Sequence, residues 1–253
     1  MQTASGLTYQ IEKPPPKLAN FVESFWRLTN PTDQPVPVIV LPDGRFDVIY
    51  SFSPAEPRRT ILTGLGSKPE QQRVEAGTLM YAVSFRLLAL EYLLQTSIAN
   101  LGNDVQILPA DFWGITDDDL SDLSRFSARL SHLFAQRIPA QIDPRKQTLQ
   151  QLIYATNGSI PVGDLAQQTG WSSRQINRYF TRQLGVSLKT YCTMLRFRAS
   201  FQHLREGRLF PEENFTDQAH FIREVRKYAG VTPRGLAQNA DDRFIQLSTL
   251  TKP

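Results

Sequence analysis

The stretch "GWSSRQINRYFTRQLGVS", Gly170 to Ser187, has a shorter echo at "TDQAHFIREVRKYAGVT", Thr216 to Thr232. Counted back from their glycines, Arg178 falls on Arg223, Arg182 on Lys227, Gly185 on Gly230, Val186 on Val231 and Ser187 on Thr232. Two segments of one chain therefore keep the same cations and the same glycine stop. With its upstream neighbours, the first segment reads as two helices joined by a tight turn. Ala166 is a small residue that lets the helices approach, Gly170 accepts a left-handed turn conformation, and Ile176 is a branched apolar residue that fills the gap. Ser172 is placed to cap the second helix. Ile176, Phe180 and Leu184 share one face at helical spacing and are expected to be buried, which turns Arg174, Asn177, Arg178 and Arg182 elsewhere. An amphipathic core helix with a solvated basic face would share that pattern. The turn chemistry favours a helix-turn-helix that reads DNA.

In the second segment Thr216 or Asp217 is the expected cap, and Phe221, Val225 and Tyr228 are the expected core. Gln218, His220, Arg223 and Lys227 fall on polar faces, with His220 either a structural histidine or a base contact. Between the segments, "SLKTYCTMLRFRASFQHLRE" reads as one helix from Ser187 to Glu206, ended by Gly207. About 20 residues at ~1.5 Å each span ~30 Å. That is close to the ~34 Å repeat of duplex DNA, so two recognition helices reach successive major-groove segments.

Charge divides the chain in the same sense. Residues 1–140 hold 12 Lys and Arg against 15 Asp and Glu, and residues 141–253 hold 16 against 9. An acidic half joined to a basic half fits a regulatory or assembly domain attached to a polyanion-binding one, although chance asymmetry alone is compatible with it. No apolar run reaches the ~20 residues that span a bilayer, and the N-terminus lacks a signal pattern. The single cysteine, Cys192, forms no internal disulfide, which agrees with a cytoplasmic location.

The N-terminal part reads as short strands, "FVESFWRLTN", "PVIVL", "RFDVIYSF", "TILTGL" and "MYAVSF", separated by turn chemistry such as Pro42-Asp43-Gly44. Strands at this spacing suggest an antiparallel sandwich or barrel. Trp26, Tyr50, Phe52 and Phe85 either line a sensor pocket, with Arg45 or Arg86 as polar anchor, or form core. Two helices follow. "LLALEYLLQ" is apolar nearly all round, hence buried. In "TDDDLSDLSRFSARLSHLFAQRI" an apolar stripe, Leu120, Leu123, Phe126, Leu130, Leu133 and Phe134, packs either on the strands or against a second subunit. "QRIPAQIDPRK" is the linker candidate.

Catalytic chemistry finds no footing. The histidines are His132, His203 and His220, so residues 1–131 supply none of the imidazoles that a barrel metalloenzyme needs. There is no Gly-x-Ser-x-Gly elbow, no Cys–His pair at a recognisable spacing and no phosphate-cradling glycine loop. No metal and no cofactor is expected.

Residues 145–236 resemble the AraC/XylS family of bacterial transcription regulators, through "DLAQQTGWSSRQINRYFTRQLGVS" and "TDQAHFIREVRKYAGVTP". The resemblance implies a seven-helix DNA-binding unit with two helix-turn-helix motifs. Base-reading positions would fall on Arg174, Asn177 and Arg178 in the first motif and on Gln218, Ala219 and Arg223 in the second. RNA polymerase is an implied partner. "LPDGRFDVIY" and "AVSFR" are similar to one poorly characterised subgroup of such regulators. One departure stands out. The family places an Ile/Ala-rich helix ending in Gly-Phe before the second recognition helix, where this chain has "GRLFPEENFTDQ" with Pro211 inside it. The glycine stops are 45 residues apart, about five fewer than the family pattern. The first helix of the second motif is therefore expected to be shortened or lost.

The resulting expectation is an α+β chain. Residues 1–140 form a β-rich effector-binding or dimerisation domain, residues 145–240 a tandem helix-turn-helix domain, and residues 241–253 a tail. The DNA-contacting set is Ser173, Arg174, Asn177, Arg178, Arg182, Gln218, His220, Arg223 and Lys227. The effector set is Trp26, Arg45, Tyr50, Phe85 and Arg86. Partners are double-stranded DNA, a small-molecule effector and a second copy of the chain, with no membrane. A non-enzymatic binding module with a degenerate second motif is the alternative.

Overall fold

The computed structural model describes residues 6–54, 56–210 and 217–249. Eight strands come first: β1 Thr8–Glu12, β2 Val22–Thr29, β3 Val36–Val40, β4 Phe46–Ser53, β5 Glu56–Thr63, β6 Glu70–Val74, β7 Leu79–Phe85 and β8 Val105–Leu108. All pair antiparallel. Six form one sheet in the order β1-β2-β7-β4-β5-β8, and β3 with β6 forms a second.

The period-two alternation of the central strands builds the two faces. Phe25 lies opposite Val83, Tyr50 opposite Tyr81 and Phe46 opposite Phe85, so these side chains share one face. Helix α1, Leu123–Arg137, lies across it. Its Phe126 ring sits 6.2 Å from that of Phe25, 5.7 Å from Tyr50 and 5.5 Å from Tyr81. On the other face Trp26, Leu28 and Met80 pack with Leu7, Val36, Val38 and Val74 under the small sheet. The architecture is a sandwich rather than a closed barrel, because among the described residues β1 pairs only with β2 and β8 only with β5.

Leu120, Leu123, Phe126, Leu130 and Phe134 are all buried within the chain, so the apolar stripe of α1 is taken up by the sheet. Asp122, rather than the preceding aspartate run, caps this helix by accepting from the Arg125 N–H at 2.8 Å. The buried segment at 87–95 is only partly helical, with one π-helical turn at Leu90–Leu94.

The C-terminal half is helical: α2 Pro144–Ala155, α3 Val162–Thr169, α4 Ser173–Leu184, α5 Leu188–Arg205, α6 Gln218–Ala229, α7 Pro233–Gln238 and α8 Ile245–Ser248. One core runs through both halves, from Leu18 to Leu247. Gln150 of α2 is buried at the junction, where its side-chain oxygen accepts from the Leu88 N–H at 3.0 Å and its amide donates to the Asn20 carbonyl.

The described part of the segment expected as a tail, 241–253, packs against the small sheet. Ile39 of β3 forms a parallel bridge with Phe244, and the Gln246 side chain bonds both the N–H and the carbonyl of Leu41 at 3.0 and 2.9 Å. Phe244 and Leu247 are buried. A two-stranded sheet leaves edge groups unpaired, and this segment satisfies some of them while adding apolar surface to the core.

Candidate nucleic-acid interface

Helices α3 and α4 form the helix-turn-helix that the spacing predicts. Gly170 holds the turn at φ +67°, a conformation costly for any residue with a Cβ. Ser172 closes a reciprocal cap. Its hydroxyl accepts from the Gln175 N–H at 3.3 Å, and the Gln175 side-chain oxygen accepts from the Ser172 N–H at 2.8 Å. Ile176, Phe180 and Leu184 are buried, which fixes the rotation of α4. Ser173, Arg174, Asn177, Arg178 and Arg182 are exposed.

Arg174, Arg178 and Arg182 recur every fourth residue and make one stripe. None of them has an ion pair or a hydrogen-bonded carboxylate among the described residues. Asn177 differs, because its side-chain oxygen accepts from the Leu188 N–H at 3.1 Å and so caps the start of α5. A bidentate contact to adenine, which needs that oxygen as well as the amide nitrogen, competes with the cap.

The C-terminal end of α4 is held by the N-terminal half. The Ile98 N–H donates to the Gln183 carbonyl at 3.0 Å, and the Ser97 hydroxyl donates to the Arg182 carbonyl at 2.7 Å. Gly185, at φ +75°, touches the same loop so closely that a Cβ there would lie 2.3 Å from the Ala99 carbonyl oxygen. On the flank of α4, the Tyr179 hydroxyl donates to Glu91 at 2.7 Å, and Lys146 pairs with the same carboxylate at 2.7 Å. Glu91 lies in the π-helical turn and was not visible as a partner from sequence.

The second recognition segment, α6, is capped by Asp217, whose carboxylate accepts from the His220 N–H at 2.7 Å. Phe221, Val225 and Tyr228 are buried, and Gln218, Ala219, Arg223 and Lys227 are exposed. Its polar face holds an acid. Glu224 lies 3.8 Å from His220 Nε2 and 3.9 Å from Lys227 Nζ. Residues 206–210 are not helical, and Phe210 packs edge-on against Phe221 at 6.2 Å. The rest of the segment expected to lack its partner helix, including Pro211, Glu212 and Glu213, lies outside the described residues.

The effector set does not converge. Tyr50 and Phe85 are buried on the α1 face, where the Tyr50 hydroxyl donates to the Phe112 carbonyl at 2.8 Å and Phe85 stacks on Phe46 at 5.8 Å. Trp26 sits on the opposite face, donating to Ser84 Oγ at 3.1 Å and to Asp47 at 3.3 Å. Burial lifts the Asp47 carboxyl to about 6. Arg45 is bound to Asp43. Alternate strand residues face opposite ways, so no single pocket takes all five.

Arg86 belongs to a bridge between the halves. Its guanidinium and that of Arg198 on α5 each lie 2.7 Å from Glu23, and Arg86 also covers the Tyr154 ring at 4.7 Å. Burial alone would raise the Glu23 pKa, but the Arg198 and Arg86 charges outweigh it and hold the carboxyl at about 2. No His, Cys, Asp and Glu cluster suited to a metal ion occurs among the described residues, and none of the described helices is long and apolar enough to cross a membrane.

A family described as Domain of unknown function (DUF6597) matches residues 10–106, from β1 into β8. A search of the curated proteins returns no match. Among solved structures, ToxT from Vibrio cholerae at 1.65 Å resolution is 11% identical, with a TM-score of 0.41 over 91% of this chain and 97% of that one. ToxT from Vibrio cholerae O395 is also 11% identical, with a TM-score of 0.41 over 96% and 99% of the two chains. The same protein bound to (E)-4-(8-methylnaphthalen-1-yl)but-3-enoic acid matches at 11% identity and a TM-score of 0.41 over 95% and 98%. Chains this dissimilar need share neither ligand nor site.

Proposed function

We propose that the protein is a sequence-specific DNA-binding transcription regulator of the AraC/XylS type that enters the major groove mainly through α4. The arginine stripe Arg174, Arg178 and Arg182 carries this reading. Like charges four residues apart on a helix repel one another, and surface helices usually interleave them with acids. A polyanion removes the repulsion, and a guanidinium offers guanine O6 and N7 two donors in matching geometry. Arg174 and Arg178, toward the N-terminus of α4, are assigned to base edges, and Arg182 with Ser173 to the phosphate backbone.

Helix α6 is assigned mostly to backbone contact through Arg223 and Lys227, with Gln218 and His220 beside them. Helix α5 has 18 residues, about 27 Å of rise, which suits two segments on one side of a duplex. The N-terminal sandwich is assigned the regulatory part, effector binding or self-association. RNA polymerase enters as a partner through the family resemblance alone.

A gel shift on the DNA upstream of the protein's own gene tests the reading. Affinity should fall by orders of magnitude between ~50 and ~200 mM salt. Arg182→Ala and Lys227→Ala should weaken all sequences alike. Salt-insensitive binding, or none to any duplex, would point instead to a binding module that works through its N-terminal half.

A further inference from the structure

Beside the arginine stripe lies a groove of about 290 Å³ lined by Arg145, Trp171, Gln175, Arg178, Tyr179 and Arg182. We propose that this groove is a built seat for one phosphodiester group of the DNA backbone, with Arg145, at the start of α2, as a second cation beside Arg182. The proposal rests on the regulator reading above and adds to it a site outside the recognition helix.

Arg145 is held rather than free to swing. Its guanidinium donates to Asp143 through Nε at 3.1 Å and Nη2 at 2.9 Å, and it lies 5.5 Å over the Trp171 ring. Trp171 in turn packs edge-on against Tyr179 at 5.5 Å. A planar guanidinium fixed by a carboxylate on one edge and a ring beneath keeps its Nη1 edge for a further acceptor. Arg178 and Arg182, one helical turn apart on α4, face the same space.

The two acids near the groove do not oppose an anion. Asp143 is paired with Arg145 and Glu91 with Lys146, so Arg178 and Arg182 leave an excess of positive charge. A single phosphodiester, tetrahedral and singly charged, suits the two guanidiniums of Arg145 and Arg182, which line the groove from different helices, and leaves Arg178 to its base edge. The groove also lies beside the stripe, where the backbone of a duplex seated on α4 would pass.

The test uses the full chain and a duplex that the wild-type protein binds through Arg178. Arg145→Ala should lower affinity for cognate and unrelated duplexes by the same roughly three- to tenfold, and reduce the slope of log affinity against log salt by about one. Replacing backbone phosphates one at a time by neutral methylphosphonate should reveal one position where wild-type binding suffers clearly more than that of the Arg145→Ala protein. Arg145→Lys should recover the salt slope but little of the affinity. An Arg145→Ala protein with unchanged affinity and slope, or one that loses as much as wild type at every phosphate, would overturn the site while leaving the regulator reading intact. Wild-type protein that binds no duplex would overturn both.

Discussion

The two recognition segments share a frame and differ in charge. Helices α4 and α6 each have 12 residues, each begins at a side-chain cap, and each ends at a left-handed glycine, at φ +75° and +71°. Each buries one apolar face. Yet the exposed stripe of α4 carries three arginines without an acid, whereas on α6 Glu224 stands between His220 and Lys227. The frame is what folding requires of a short helix docked on a core. The charge pattern is not needed for docking, and it is there that a difference in function between the two segments can lie.

The stops differ in surroundings as well. A Cβ on Gly185 would meet the Ala99 carbonyl oxygen at 2.3 Å, while at Gly230 its nearest neighbour would be Pro69 at 3.8 Å. Gly185→Ala should therefore cost about 3–5 kcal/mol, from a strained backbone plus a collision with main chain that has no rotamer to move. Gly230→Ala should cost about 1 kcal/mol from strain alone. Urea midpoints of the two variants measure this. Equal losses would show that the N-terminal loop does not bear on α4.

Next in size is an acid-sensitive tie on α5, the helix that separates the segments. The Glu23 carboxyl lies at about 2 in the folded chain against an ordinary 4.5. A lowered pKa stabilises the fold above the unfolded value and ceases to do so as pH falls through the folded one. The wild-type protein should thus lose about 2–3 kcal/mol between pH 4.5 and pH 2 at this site. Glu23→Gln should be less stable at neutral pH, and the gap should close toward pH 2. A gap that stays constant with pH would mean that Glu23 contributes by packing and not by charge.

The smallest effects bear on base reading. Arg178→Ala should cost about 1–3 kcal/mol on a cognate site and relax preference at one position. Arg223→Ala should cost less and change preference little. Glu224→Gln should tighten binding to every sequence by a few tenths of a kcal/mol by removing a repelling charge. Selection of sites from random DNA sharpens the contrast. Two equally defined blocks about one helical turn apart per subunit would erase the distinction between α4 and α6.

The strands show where local sequence stops being informative. β2, β4 and β7 were legible because their apolar residues alternate and each lies between two partners in the sheet. β1, β6 and β8 were not. "EQQRV" and "VQIL" carry little inward-facing apolar surface and are strands because a neighbour offers backbone groups to pair with. The same limit affected the effector set. Trp26 and Phe85 look alike as aromatic residues in strand-like runs, but the parity that puts them on opposite faces depends on register, including the shift in β2 between Val22 and Ser24.

What the sequence determined by itself is what hydrogen bonds and spacings within a few residues can encode. That covers the cap at Ser172, the glycine stops, the buried faces of α4 and α6, the exposed arginine stripe and the length of α5. Tertiary structure alone decided which distant pieces meet. It set Arg145 over Trp171, placed Glu91 beneath Tyr179, joined Glu23 to Arg86 and Arg198, and folded residues 240–249 back on the small sheet. Contacts of that kind depend on how the chain returns on itself to close one core, and no residue type or local period records the return path.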